Sequence, residues 1–202
     1  MLGDLWSFQG RYRTLHLTWI AFFLTFVVWF NLAPLATTVK ADLGLTVGQI
    51  RTVAICNVAL TIPARVLIGM LLDKFGPRIT YSSILVFSAI PCLLFASAQD
   101  FNQLVVARLL LSIVGAGFVI GIRMVAEWFP PKEIGLAEGI YGGWGNFGSA
   151  FSALTMVALA GFLSFSGGFE LPTGAVLNWR GAIALTGIVS AVYGCFYFFN
   201  VT

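Results

Sequence analysis

Charge is what this sequence has least of. Lys, Arg, Asp and Glu make up 9% of its 202 residues and hydrophobic residues 59%, whereas soluble domains carry roughly 25% charged side chains. With a mean hydropathy of +0.94, the chain has too little polar surface to face water, which excludes a soluble globular domain. Its 11 basic and 8 acidic residues leave a net charge of +3 without a basic run suited to a phosphate backbone, so nucleic acid is not expected as a partner. Histidine is nearly missing as well. The single one, His16, falls at the edge of an apolar stretch, where an interfacial role is expected, and no nucleophile-base spacing or phosphate loop accompanies it. An enzyme is not expected. Cys56, Cys92 and Cys195 are far apart, lack metal-ligand spacing and read as small core residues, so neither metal nor cofactor is expected. Met1 to Gly10 mixes polar and aromatic residues and the apolar run after it is too long for a cleavable signal, so the first span is expected to serve as its own insertion signal.

What is present is a series of apolar stretches, each long enough to cross about 30 Å of hydrocarbon as an α-helix. Hydropathy and breaks place six spans near residues 16–38, 47–72, 79–98, 102–128, 136–165 and 179–200. The breaks are a polar turn at Asp42 to Thr46, Asp73 to Arg78 with Gly76-Pro77, Gln99 to Asn102, Pro130-Pro131-Lys132-Glu133, and a Gly-rich stretch from Ser164 to Asn178. The expected fold is an all-α integral membrane bundle of six transmembrane helices over 16–202, preceded by a cytoplasmic segment over 1–15. With that orientation the inner side gains Arg11, Arg13, Lys74, Arg78 and Lys132, and the outer side Lys40, Arg51, Arg108 and Arg180, a modest positive-inside bias. Trp6, Trp19, Trp128 and Trp179 fall near span ends, as interfacial anchors do. The 22 glycines suit closely packed helices.

The polar residues at membrane depth are the informative ones, because an ionisable group there costs at least about 2.5 to 3.5 kcal/mol. Arg65 stands eight residues before Asp73, roughly 12 Å inside the end of span two. No Asp or Glu falls in the middle third of any expected span. Either a neighbouring carboxylate or helix C-terminus satisfies Arg65, or it awaits an anion. A planar guanidinium fork suits a small planar oxyanion, and nitrate, nitrite and bicarbonate all have that shape. Arg123 has Glu127 one turn on and is expected to form a structural bridge with it. The run Gly142-Gly143-Trp144-Gly145-Asn146-Phe147-Gly148 places four glycines in seven residues within a span, against helix propensity. It brings the Asn146 amide to a depth similar to that of Arg65. Phe118, 12 residues before Pro130 and so roughly 18 Å in, could wall a small pocket.

Three segments resemble the major facilitator superfamily and, within it, the nitrate/nitrite porter family. Gly69-Met70-Leu71-Leu72-Asp73-Lys74-Phe75-Gly76-Pro77-Arg78 resembles the superfamily's loop between spans two and three, with Gly69, Asp73, Lys74, Gly76 and Arg78 matching and Pro77 in place of a basic residue. Arg108 with Gly115 and Gly117 resembles its span-four pattern, with the glycines shifted later. Gly142 to Gly148, preceded by Phe129-Pro130-Pro131-Lys132, resembles the porter family's span-five signature. The resemblance implies the N-terminal six-helix half of a transporter in the plasma or inner membrane that moves nitrate or nitrite by alternating access. It implies Arg65 as anion ligand, Phe118 stacked on the anion, and Asn146 with Gly142, Gly143 and Gly145 lining the same cavity. Such transporters have about 12 spans and a second arginine in the other half. The expected partners are therefore the lipid bilayer, the anion, and either a missing C-terminal half or a second copy of this chain. Another small anion or organic solute, or a non-transporting helical scaffold, are the alternatives.

Overall fold

The fold, taken from a computed structural model, is described for residues 7–201. Trp6 and the first six residues of the expected cytoplasmic segment lie outside the described residues. Among the described residues nine α-helices follow one another: α1 (Gly10–Phe30), α2 (Ala36–Asp42), α3 (Val47–Ala59), α4 (Thr61–Phe87), α5 (Ala89–Ser97), α6 (Phe101–Ser112), α7 (Gly117–Trp128), α8 (Pro131–Phe162) and α9 (Trp179–Asn200). Between α8 and α9 lies a small antiparallel ribbon of β1 (Phe169–Glu170) and β2 (Val176–Leu177).

Among the described residues, five helical stretches are long and apolar enough to cross a bilayer: Gly10–Asp42, Val47–Ser97, Phe101–Trp128, Pro131–Ser166 and Trp179–Asn200. The second has 51 residues, about 76 Å if straight, more than twice the hydrocarbon thickness. It crosses twice. Gly76 has φ +77°, a conformation open to glycine and strained for other residues, and the chain reverses there. The geometry at the far end agrees with this. Arg180 Nη1 donates to the carbonyls of Ala96 (2.8 Å) and Ala98 (2.5 Å), and its Nη2 lies 3.5 Å from an Asp42 oxygen. The exit of the stretch and the residues just before its entry therefore sit at the same end of the bundle. Six spans result: α1 with α2, α3 with α4 to Phe75, α4 from Pro77 with α5, α6 with α7, α8, and α9.

The interruptions inside spans have local causes. Pro63 has no N–H to offer the Ala59 carbonyl, and α3 ends at Ala59; the helix restarts after Leu60, at φ −94° and ψ 4°. Span four braces the interruption: the Leu60 N–H donates to Ser112 Oγ at 3.2 Å, and Thr61 Oγ1 donates to the Ser112 carbonyl at 3.3 Å. Pro91 stands in the same relation to Phe87, where α4 ends. Helix starts are capped: Thr46 and Gln49 form a capping box on α3, Asp100 caps α6 and Asn178 caps α9.

Glycine lets the spans approach. A Cβ on Gly145 would collide with the Phe22 ring, one on Gly148 with the Phe23 carbonyl, and one on Gly121 with the Tyr141 ring. Gly145 and Gly148 lie one turn apart and seat α8 on α1. At the centre, Tyr81, Tyr141 and Tyr197 are fully buried. The Tyr81 and Tyr141 hydroxyls are 3.3 Å apart, Tyr141 donates to the Phe118 carbonyl at 3.0 Å, and Tyr197 shares a 3.1 Å bond with Thr18.

Several expectations are corrected. His16 is buried rather than interfacial: it accepts a hydrogen bond from Trp19 Nε1 at 3.0 Å and stacks on Phe8. Trp179 is buried at 1% exposure, its indole donating to Asp42 at 2.8 Å, so at the start of its span it locks α9 to the end of α2 instead of facing outward as an anchor. Cys56 and Cys92 are buried, as expected of core residues, but Cys195 is exposed. Arg108 is not on the outer rim; it is fully buried.

Candidate functional site

Arg65 projects from α4 as an exposed side chain. Among the described residues, no carboxylate lies within ion-pair distance of it and it makes no hydrogen bond. Its depth follows from its neighbours. Thr61, one turn earlier, is bonded to Ser112 of span four, and spans two and four run in the same direction. Arg65 is thus level with about Ala116, and within about half a turn of Phe118.

Phe118 is half-buried. Its ring centroid lies 5.3 Å from that of Phe22 and 6.3 Å from that of Tyr141, nearly parallel to the latter at 16°. Its carbonyl accepts the Tyr141 hydroxyl. Phe22 in turn fills the space over Gly145, the residue before Asn146. Arg65, Phe118 and Asn146 therefore share a depth to within about one helical turn, roughly 5 Å.

Asn146 is exposed, and its Nδ2 donates to the Gly142 carbonyl of its own helix at 2.7 Å. One amide hydrogen and the amide oxygen are left for other partners. The glycines around it divide into two faces. Gly142 and Gly143 would admit a Cβ without meeting any atom within 4 Å, and Gly143 lines an open groove of about 470 Å³ along α8 with Gly139, Trp144 and Phe147. Gly145 faces α1 and is filled by Phe22. The structure thus puts Gly142 and Gly143 on the open side with Asn146, and Gly145 on the packed side. No hydrogen bond joins Arg65 to Asn146 among the described residues; they are brought to one level, not into contact.

At the end of the bundle that carries the Gly69 to Arg78 loop, Asp73 lies 3.9 Å from Arg123 Nη1, and Arg123 Nε donates to Glu127 at 2.6 Å. The expected Arg123–Glu127 bridge is present, and Asp73 extends it across the loop. Lys74 lies against the Phe75 ring at 5.2 Å. A Cβ on Gly69 would meet no atom within 4 Å. Arg78 Nε donates to the Phe198 carbonyl at 2.8 Å, tying the loop to the end of α9.

Sequence reasoning named Arg108 as an outer-side residue but missed the buried network that it anchors. Its Nη2 donates to Asn31 Oδ1 at 2.9 Å and its Nη1 to Asn57 Oδ1 at 3.2 Å, and its guanidinium lies 4.5 Å from the Phe95 ring centroid. Asn31 passes the network on, donating to Thr186 Oγ1 at 3.0 Å and towards Cys92 Sγ at 3.8 Å. Asn57 Nδ2 donates to the Trp29 carbonyl, and the Trp29 indole to the Asn57 carbonyl. Nε of Arg108 is buried without a partner among the described residues. The available signal was position: Arg108 lies seven residues past Phe101, about 10 Å into span four, too deep for an outer rim.

Six apolar spans thus carry an arginine, an aromatic ring and an amide at one depth, an arrangement of a polytopic helical membrane protein. The Major Facilitator Superfamily model matches residues 18–202, and the chain belongs to that superfamily. It is 62% identical over its whole length to a nitrate/nitrite transporter, NrtP, of Picosynechococcus sp., and 61% identical over 98% of its length to the NrtP of Nostoc punctiforme. A probable nitrate/nitrite antiporter, NarK1, of Thermus thermophilus is 31% identical over 94% of the chain. The chain spans about 40% of the length of these relatives, covering 40%, 38% and 42% of them. Among solved structures, a bacterial homologue of the human lysosomal transporter Spinster, in an inward-facing and occupied conformation, superposes with a TM-score of 0.75 at 20% identity, covering 96% of this chain and 45% of that one. That likeness establishes the fold. The chain is a multi-pass membrane protein with the architecture of the superfamily's N-terminal half.

Proposed function

We propose that this chain is the N-terminal half of a carrier that moves nitrate and nitrite across the cell membrane, with the N-terminus cytoplasmic. The observation that carries the reading is Arg65: an exposed guanidinium at membrane depth, without a carboxylate among the described residues, level with Phe118 and Asn146. A cation so placed is stabilised by an anion, and a fork of parallel N–H donors favours a flat oxyanion. Phe118, fixed by Phe22 and Tyr141, supplies a rigid apolar wall. Asn146 supplies an amide. Gly142 and Gly143 leave the backbone of span five open to the same side. The strong likeness to nitrate/nitrite transporters supports the choice among flat anions.

The second half of the cavity comes from the C-terminal half of the longer protein, in keeping with relatives about two and a half times as long, rather than from a second copy of this chain. The anion is held near the midplane while one half rocks against the other. Because no carboxylate stands in the middle third of these spans, this half has no Asp/Glu proton relay, and exchange of nitrate for nitrite is the simplest cycle. The test is uptake of labelled nitrate by proteoliposomes carrying the full-length protein. Arg65→Lys is expected to lose about tenfold or more, as a point charge replaces a two-pronged donor, and Asn146→Ala to weaken uptake. Parental uptake by Arg65→Lys would overturn the assignment.

A further inference from the structure

A second built site lies away from Arg65, where spans three and six meet. A groove of about 550 Å³ runs along their outer surface, lined by Val86 and Ile90 of span three and Gly194, Cys195, Phe198 and Phe199 of span six. It exists because the two helices close tightly at Gly194, where a Cβ would lie 2.8 Å from that of Leu85. Its walls are apolar and 80% of Phe199 is exposed. At one end of it stands Arg78. The Arg78 guanidinium lies 4.6 Å from the Phe198 ring centroid, and its Nε donates to the Phe198 carbonyl at 2.8 Å. Phe198 therefore belongs to both features, holding the fork and lining the groove. Nη1 and Nη2 of Arg78 make no hydrogen bond among the described residues.

Arg78, Ser82, Val86 and Ile90 recur at every fourth residue, so they share one helix face. They form a cation followed by roughly 18 Å of mostly apolar surface. The neighbouring charges reinforce the cation. Arg13 donates to Asn200 Oδ1 at 3.0 Å at the end of α9, and Lys74 lies four residues before Arg78. The nearby acid, Asp73, is turned to Arg123, and no carboxylate is within ion-pair distance of Arg78 among the described residues. A basic pocket between spans at the headgroup level, continuous with an apolar groove, matches a phosphate joined to an acyl chain. The surplus of positive charge disfavours a headgroup that carries its own cation.

We infer that the groove between spans three and six binds an anionic phospholipid, with its phosphate on the Arg78 fork and one acyl chain along Val86, Ile90 and Phe199. The site is independent of the transport reading. Cys195 supplies a built-in reporter, since it lines the groove and is exposed, while Cys56 and Cys92 are buried. The experiment is alkylation of the full-length protein in detergent micelles by N-ethylmaleimide, with labelling of Cys195 read by peptide mass spectrometry. Phosphatidylglycerol is expected to slow labelling of Cys195 about fivefold and phosphatidylcholine to leave it nearly unchanged; Arg78→Gln should abolish the difference and Arg78→Lys restore part of it. Equal protection by both lipids, protection that survives Arg78→Gln, or a Cys195 inert without lipid would each overturn the site. Should Arg78→Gln fail to fold, Ile90→Trp fills the groove with Arg78 intact. Native mass spectrometry should then show loss of the phosphatidylglycerol retained by the parent, and its undiminished retention would count against the proposal.

Discussion

Arg65 and Arg108 are both arginines within membrane-spanning helices, and the protein treats them in opposite ways. Arg108 is fully buried, its fork divided between two amide oxygens and its face covered by Phe95. Arg65, about two turns deeper than Asn57 along span two, is exposed and unpartnered among the described residues. A buried charge solvated by neutral amides holds helices in place; an open one is left to bind. The contrast teaches that depth alone does not mark a functional cation, and that the surrounding donors and acceptors decide.

The largest effect should come from Arg108. Arg108→Ala leaves the buried Asn31 amide oxygen and the half-buried Asn57 one without the arginine's donors and opens a void beside Phe95. A loss of about 3 kcal/mol or more is expected, read as a lower thermal midpoint in detergent. Arg65→Ala should leave that midpoint unchanged; equal destabilisation by both would erase the contrast. The two glycine faces of α8 sharpen it next. Gly145→Ala drives a methyl into Phe22, at a cost of about 1 to 3 kcal/mol, whereas Gly142→Ala meets nothing and should stabilise the helix by about 0.5 to 1 kcal/mol, while still reducing nitrate uptake if its backbone lines the cavity. Tyr141→Phe removes the hydroxyl that bonds the Phe118 carbonyl, and about 1 kcal/mol should be lost. The smallest effect belongs to Arg123→Gln at the exposed loop end, where no measurable shift in midpoint is expected and any shift should vanish in high salt.

Much of the fold was legible in the residues. Long apolar runs locate spans because lipid forces every backbone group into a helix, and Gly76-Pro77 marks the reversal because few other residues accept that corner. The expected spans agree with the helices to within several residues, the first starting earlier, at Gly10. The expected Arg123–Glu127 bridge follows from a spacing of four along one helix. What escaped is what depends on helix rotation and on partners distant in sequence. Hydropathy averages over all faces, so it could not tell that Cys195 points outward while Cys92 points in. Trp179 finds Asp42 across 137 residues and Arg108 finds Asn31 across 77; neither pairing leaves a local pattern. The candidate site was legible as a set of depths, since 1.5 Å per residue converts position into height. The separation of Gly145 from Gly142 and Gly143 was not, because glycine looks the same in sequence whether it admits a neighbour or clears a view.

The amide and guanidinium knot has a mechanical meaning. Asn31 belongs to the turn that ends α1, Asn57 to span two, Cys92 and Phe95 to span three, Arg108 to span four and Thr186 to span six. For any of these rods to slide lengthwise by a single turn, about 5.4 Å, several bonds would have to break together in a dry interior where water cannot replace them. Among the described residues span five alone is not threaded through the knot, and its seat on α1 is made of glycines. It is held at a separate point, where the Tyr141 hydroxyl bonds the Phe118 carbonyl and pairs with that of Tyr81, so the bundle is locked at two levels.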